Sequence, residues 1–220
     1  MRTIRKGTEP KSLTQYRASG GKDYEGYREK DDLRKSLVRE QRGICCYCMA
    51  RICANASRMK IAHWQPRSKY AEAQLEYTNL LGACHGNDGR RGQEKHCDTS
   101  QGDRTISRNP ANLTSPVEKL LKYRRDGEIS STDSRFNDEI NNVLNLNLKI
   151  LMNNRKKVLD TFLEGLAKFG SLQQASIQRM LDDWNGDSHS DNLRPYCQIV
   201  VFWLRKRQRG TLIRQGSAPP

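Results

Sequence analysis

The sequence predicts an α+β protein, a small cysteine-rich module of loops and strands embedded in helices. Three observations predict it. Six of the seven cysteines and three of the four histidines fall between residues 44 and 110, where glycine is frequent and no long apolar period runs. On either side of that stretch apolar residues recur at three- and four-residue steps, the spacing of one helix face. Hydrophobic residues are 35% of the 220-residue chain and charged residues 29%, enough for a packed core but not a large one.

Taken in order, residues 1–22 are polar, end near "SGG", and read as an extended arm. Residues 23–43 carry Tyr27, Leu33, Leu37 and Val38 at helical spacing, with Gly43 as the stop. Residues 44–115 form the cysteine module, with a short helix or turn near 76–84. Residues 116–207 begin with "LLKYRRDGEISST", where Asp126-Gly127 marks a hairpin turn. Helices follow in "SRFNDEINNVL", "NLKILMNNRKKVLDTFLEGLAKFG", "SLQQASIQRMLDDW" with Ser171 as N-cap, and "NLRPYCQIVVFWLRKR". Residues 208–220 read as a disordered tail.

The net charge is +14, from 39 Lys and Arg against 25 Asp and Glu. Such a surplus favours a polyanionic partner, nucleic acid before membrane, because neutralising phosphates releases counterions. There is no apolar run of roughly 18 residues to span a membrane, and "MRTIRKGTEP" lacks the apolar stretch of a secretion signal. A cytoplasmic location is expected. Reduced thiols there point to metal ligation before disulfides.

Cys45-x2-Cys48 in "ICCYCMARI" is a turn that aims two thiolates at one zinc ion. Cys84 in "LLGACHGNDG" and Cys97 in "KHCDTSQGD" supply a second pair, joined by the turn-forming "GNDGRRGQ". Four thiolates would close a structural zinc site. His85 and His96 flank the second pair and offer substitutes for a cysteine, though the four-cysteine set is preferred. Cys46, Cys53 and Cys197 read as small core or surface residues.

Between the pairs lie His63 in "KIAHWQPRSKY" and Asn79 in "EYTNLLGACHG". With "GICCYCMARI", "HCDTSQGD" and the later "LNLN", this ordered set resembles the HNH endonuclease family over roughly residues 40 to 150. It is most similar to the branch that accompanies an ATPase in bacterial antiphage systems, the PtuB proteins of Septu systems and the HNH proteins of some retrons. The resemblance implies a zinc-stabilised ββα-metal core and metal-dependent phosphodiester hydrolysis. It places the general base on His63, an imidazole able to take a proton near neutrality. It assigns Asn79 to ligating the catalytic metal or holding the loop that carries the histidine. By the resemblance the further ligand for a catalytic Mg or Mn ion falls around His96 to Asp98; Asp98 is chosen since such ions prefer oxygen, with helix capping as its equal alternative. It also implies a PtuA-like ATPase partner and, in retrons, a reverse transcriptase with its RNA–DNA hybrid. Trp64 reads as core. Arg67, Lys69, Arg90 and Arg91 are candidate phosphate contacts.

One family feature is missing. The residue before the base is commonly Asp or Glu, and here it is Ala62, which has no donor atom. The expectation is a weakened or inactive nuclease that cuts DNA or RNA, tRNA included. Three explanations fit: an engineered inactive variant, a natural variant with another ligand, or an RNA substrate whose 2′-hydroxyl attacks with less dependence on a metal. The competing reading is a non-catalytic zinc module that binds nucleic acid or scaffolds the ATPase.

Overall fold

The computed structural model describes residues 1–167, 173–187 and 191–216. It is α+β. Helices α1 (Lys11–Ala18) and α2 (Lys30–Glu40) precede an antiparallel hairpin, β1 (Lys60–His63) and β2 (Leu80–Ala83), and a short helix α3 (Cys97–Gln101). A second hairpin, β3 (Leu121–Tyr123) and β4 (Ile129–Ser131), leads to α4 (Ser134–Asp138), α5 (Lys149–Ala167), α6 (Gln174–Asn185) and α7 (Cys197–Gly216). Among the described residues, no helix is long and apolar enough to cross a membrane.

The N-terminal residues are not an extended arm. Met1, Ile4 and Leu13 are buried, and the Ile4 N–H donates to the Pro110 carbonyl at 2.8 Å. Their apolar side chains are too sparse to make a period, yet each fills a slot in the core, and that burial outweighs the polar composition between them. Helix α2 is shorter than expected and takes Leu33 and Leu37 inward. Gly43 ends its turn as foreseen: its φ is +72°, a conformation costly for side-chain-bearing residues, and its N–H closes on the Val38 carbonyl at 2.9 Å.

In the first hairpin Lys60 pairs with Ala83, Ala62 with Leu81 and His63 with Leu80. Gln41, just past α2, grips β2 through Gly82, accepting from its N–H at 2.6 Å and donating to its carbonyl at 2.7 Å. A side chain at Gly82 would press on Ile52, Met59 and Gln41. Helix α3 packs on β1, and Lys60 Nζ reaches Thr99 Oγ1 at 3.0 Å. The hairpin and α3 are thereby one compact unit.

The second hairpin turns at Gly127, with φ +90°, where a Cβ would collide with the Met152 carbonyl. Buried Arg155 on α5 binds that turn, donating to the carbonyls of Gly127 at 2.5 Å and Leu146 at 2.8 Å. Helix α4 starts on Asp133, which accepts from the Phe136 N–H at 2.9 Å, and runs into a wider turn over Glu139–Val143. Helix α7 buries Ile199, Val200, Val201 and Leu204 against α5, α6 and β3. It continues to Gly216, into the stretch expected to be disordered, as added turns on a helix already nucleated by the core. Ser171 lies outside the described residues.

Candidate metal centre and catalytic cleft

The chain from Gly43 folds back on itself through the Ile44–Arg51 bridge, placing Cys45 and Cys48 on one tight turn. Cys84 follows β2 and Cys97 opens α3. The four Sγ atoms lie within 4.8 Å of one another. Cys45 and Cys97 are 3.9 Å apart and Cys48 and Cys84 3.6 Å. Thiolates placed tetrahedrally about 2.3 Å from zinc would be separated by about 3.8 Å, whereas a disulfide needs about 2 Å. The set fits one structural zinc ion.

Burial opposes ionisation at Cys45, but the surrounding thiols donate to its sulfur and hold its pKa well below the ordinary value, while Cys97 is pushed up by the same burial. Four sulfurs this close ionise together only around a cation. His96 stands outside the tetrahedron: its Nδ1 is 3.1 Å from Cys97 Sγ and 4.0 Å from Cys84 Sγ, placed to hydrogen-bond a ligand sulfur. His85 is not in the set, nor are buried Cys46, exposed Cys53, or Cys197, which opens α7 and packs with Ile44, Met49 and Leu193. Among the described residues no second group of His, Cys and carboxylate side chains is gathered this tightly.

Beside this centre a cleft of about 510 Å³ is lined by His63, Arg67, Ser68, Asp98 and Asp103 together with Ile61, Pro66 and Gly102. The hairpin supplies His63 and the first turn of α3 supplies Asp98, so their shared cleft depends on the packing of α3 against β1. His63 Nε2 is 3.1 Å from the Gln74 carbonyl oxygen. A proton on Nε2 donates there and leaves Nδ1 as the basic nitrogen. The Tyr24 ring meets the imidazole edge-on at 4.7 Å. Burial, opposed by the Gln74 carbonyl, lowers the His63 pKa to about 4, so the ring is neutral at pH 7. Burial also pushes Asp98 up to about 6, with Lys60 opposing it. Asp103 accepts a hydrogen bond from Ser68 Oγ at 2.8 Å.

Asn79 lines no part of the cleft. It is 3% exposed, and its amide is committed to backbone: Nδ2 donates to Gln65 O at 3.1 Å and Ala73 O at 3.0 Å, and Oδ1 accepts from the Gln65 N–H at 2.7 Å. Of the two roles the resemblance allows, this geometry suits holding the loop. Ala62 is 1% exposed and lies in the core cluster with Leu81 and Ala83; strand alternation turns it away from the face that carries His63. A carboxylate at Ala62 would be desolvated unless a cation met it. Trp64 is half-buried against the same core.

Arg67 is on the cleft, paired with Glu25 at 2.6 Å. Lys69, Arg90 and Arg91 are exposed and line no part of it. Asp103, Gln74 and Tyr24 are neighbours that the sequence reading did not single out. Only Asp103 left a trace there, as a second carboxylate in "CDTSQGD"; a backbone carbonyl and an aromatic from a distant turn leave none. No protein-family model matches the chain, and no curated protein matches it.

Proposed function

We propose that the chain is an HNH-type endonuclease subunit that hydrolyses phosphodiester bonds of DNA or RNA, tRNA included. One observation carries the reading: His63 from a β-hairpin and Asp98 from the helix behind it line one cleft, next to a four-thiol set that ties the hairpin to that helix. This is the arrangement that the sequence resemblance to HNH proteins implies.

In this reading His63 Nδ1 takes a proton from the attacking water while Gln74 fixes the ring through Nε2. A neutral imidazole at pH 7 is in the form the task needs. Arg67 holds phosphate oxygens at the rim. A Mg or Mn ion would be held by Asp98, with Asp103 in reach of the same cleft, and would stabilise negative charge on the phosphorane and leaving oxygen. Two carboxylates without a third donor from Ala62 make a weak grip, completed by phosphate oxygens. The PtuA-like ATPase, and a reverse transcriptase with its RNA–DNA hybrid in a retron setting, remain the partners proposed. Since Met1, Ile4 and Leu13 are taken up by the core, docking falls to the C-terminal helices.

The second reading, a non-catalytic zinc module that binds nucleic acid or scaffolds the ATPase, is favoured by the apolar side chain at Ala62. The two are separated by incubating the chain and its His63→Ala variant, each with the ATPase and with Mg or Mn, against plasmid, single-stranded DNA and total RNA. The expected result is metal-dependent cleavage by the chain that His63→Ala abolishes. No metal-dependent cleavage of any of the three favours the zinc module, and cleavage that survives His63→Ala removes the enzyme reading.

A further inference from the structure

Lys30 and Arg67 both stand over the ring of Tyr24, with Lys30 Nζ 4.5 Å and Arg67 Cζ 4.9 Å from its centroid. The same ring touches His63 edge-on. One carboxylate bridges the two cations: Glu25 is 2.6 Å from Arg67 and 3.5 Å from Lys30. The turn that carries it is pinned, since the Tyr24 N–H donates to Gln74 Oε1 at 3.0 Å and the Gly26 N–H to Asp23 Oδ1 at 2.7 Å. An aromatic face positions cations without neutralising them. What neutralises them here is Glu25, whose side chain is 71% exposed. Exposed pairs of this kind are weak and exchangeable. The contrast is Lys6 with Glu40, whose side chains are 9% and 6% exposed and belong to the core.

We propose that Lys30 and Arg67 form a binding site for a backbone phosphate of the nucleic-acid strand next to the scissile bond, and that Glu25 fills it until the strand displaces the carboxylate. The inference rests on the endonuclease reading. A carboxylate and a phosphate present the same pair of oxygens to a guanidinium, so Glu25 marks where the phosphate sits. Tyr24 couples the site to the chemistry, because the ring that holds both cations also packs on His63. A strand anchored there runs past His63 and Asp98.

The test is binding of a short labelled single-stranded DNA, the same sequence as RNA, and the DNA duplex to the full chain across a salt series. Glu25→Gln, which keeps the shape and removes the competing charge, should tighten binding about threefold or more. Glu164→Gln, the same charge change on α5, should leave it near wild type. Arg67→Gln and Lys30→Gln should each weaken binding about fivefold to tenfold and lower the salt slope by about 0.7 to 0.9. With both cations removed, Glu25→Gln should give no gain. If the wild type binds but Glu25→Gln gains no more than Glu164→Gln, or the salt slope ignores Arg67 and Lys30, the phosphate site is refuted and the nuclease reading stands. If the wild type binds none of the three probes, both fall.

Discussion

Asn79 closes a ring on the backbone of Gln65, accepting from its N–H and donating to its carbonyl, with a further bond to Ala73. The turn between His63 and Arg67 is thus fixed by a buried amide from the start of the neighbouring strand. His63 and Arg67, the proposed base and the proposed phosphate contact, are carried on a loop that this one side chain holds in place.

Asn79→Ala leaves buried backbone groups unpaired and should destabilise the fold by about 2 to 4 kcal/mol. Asn79→Asp is the sharper probe. A metal ligand would tolerate or welcome the carboxylate, whereas the tether loses both Nδ2 donors and places a charge in the core. The expected outcome is a lower melting temperature and lower cleavage for Asn79→Asp; native stability with stronger Mn dependence would make Asn79 a ligand instead.

His63 ties stability to pH. Its folded pKa is lowered from 6.5 to about 4, so the unfolded chain takes up a proton in that window which the folded chain refuses. The contribution is complete above pH 6.5 and is lost as pH falls towards 4. His63→Gln should flatten this part of the profile, by on the order of 2 kcal/mol between pH 7 and pH 4. Urea unfolding of both proteins at several pH values measures it, and parallel profiles would mean that the imidazole is not buried as described. Cleavage by the chain should likewise keep its rate well below pH 6.5.

Zinc removal should unfold the module. The four sulfurs join the 44–51 turn, the end of β2 and the start of α3, and the binding energy of such a site is folding energy. The purified chain should carry one zinc per molecule and lose it, with its cooperative melt, to a strong chelator. Cys48→Ser or Cys84→Ser should do the same, while Cys53→Ser, at an exposed position, should melt as wild type. A full metal load in Cys84→Ser would reopen the ligand set to His96.

Asp98 and Asp103 line the same cleft but differ in setting: Asp98 is half-buried on α3, while Asp103 is tied to Ser68. Asp98→Asn should raise the Mn concentration for half-maximal cleavage about tenfold or more. Asp103→Asn should have the smaller effect. The reverse order would move the metal to the outer edge of the cleft.

The sequence by itself determined the local pieces. Cys45-x2-Cys48 needs only a tight turn, Gly43 only a positive φ, and Asp126-Gly127 only a hairpin; each is decided within a few residues. The pairing of Cys84 and Cys97 with the first two was legible because glycine-rich turns let the chain return. Tertiary structure alone decided the rest. That Met1 and Ile4 belong to the core depends on slots made by residues more than a hundred positions away, as the bond from Met1 to the Tyr123 hydroxyl shows. That Ala62 faces inward while His63 faces the cleft follows from the register of β1 on β2. That Tyr24, Glu25 and Gln74 surround His63 and Arg67 follows from packing of the N-terminal turns on the hairpin. Such contacts leave no period and no spacing in the sequence, because they are chosen by shape and charge only once the chain has closed.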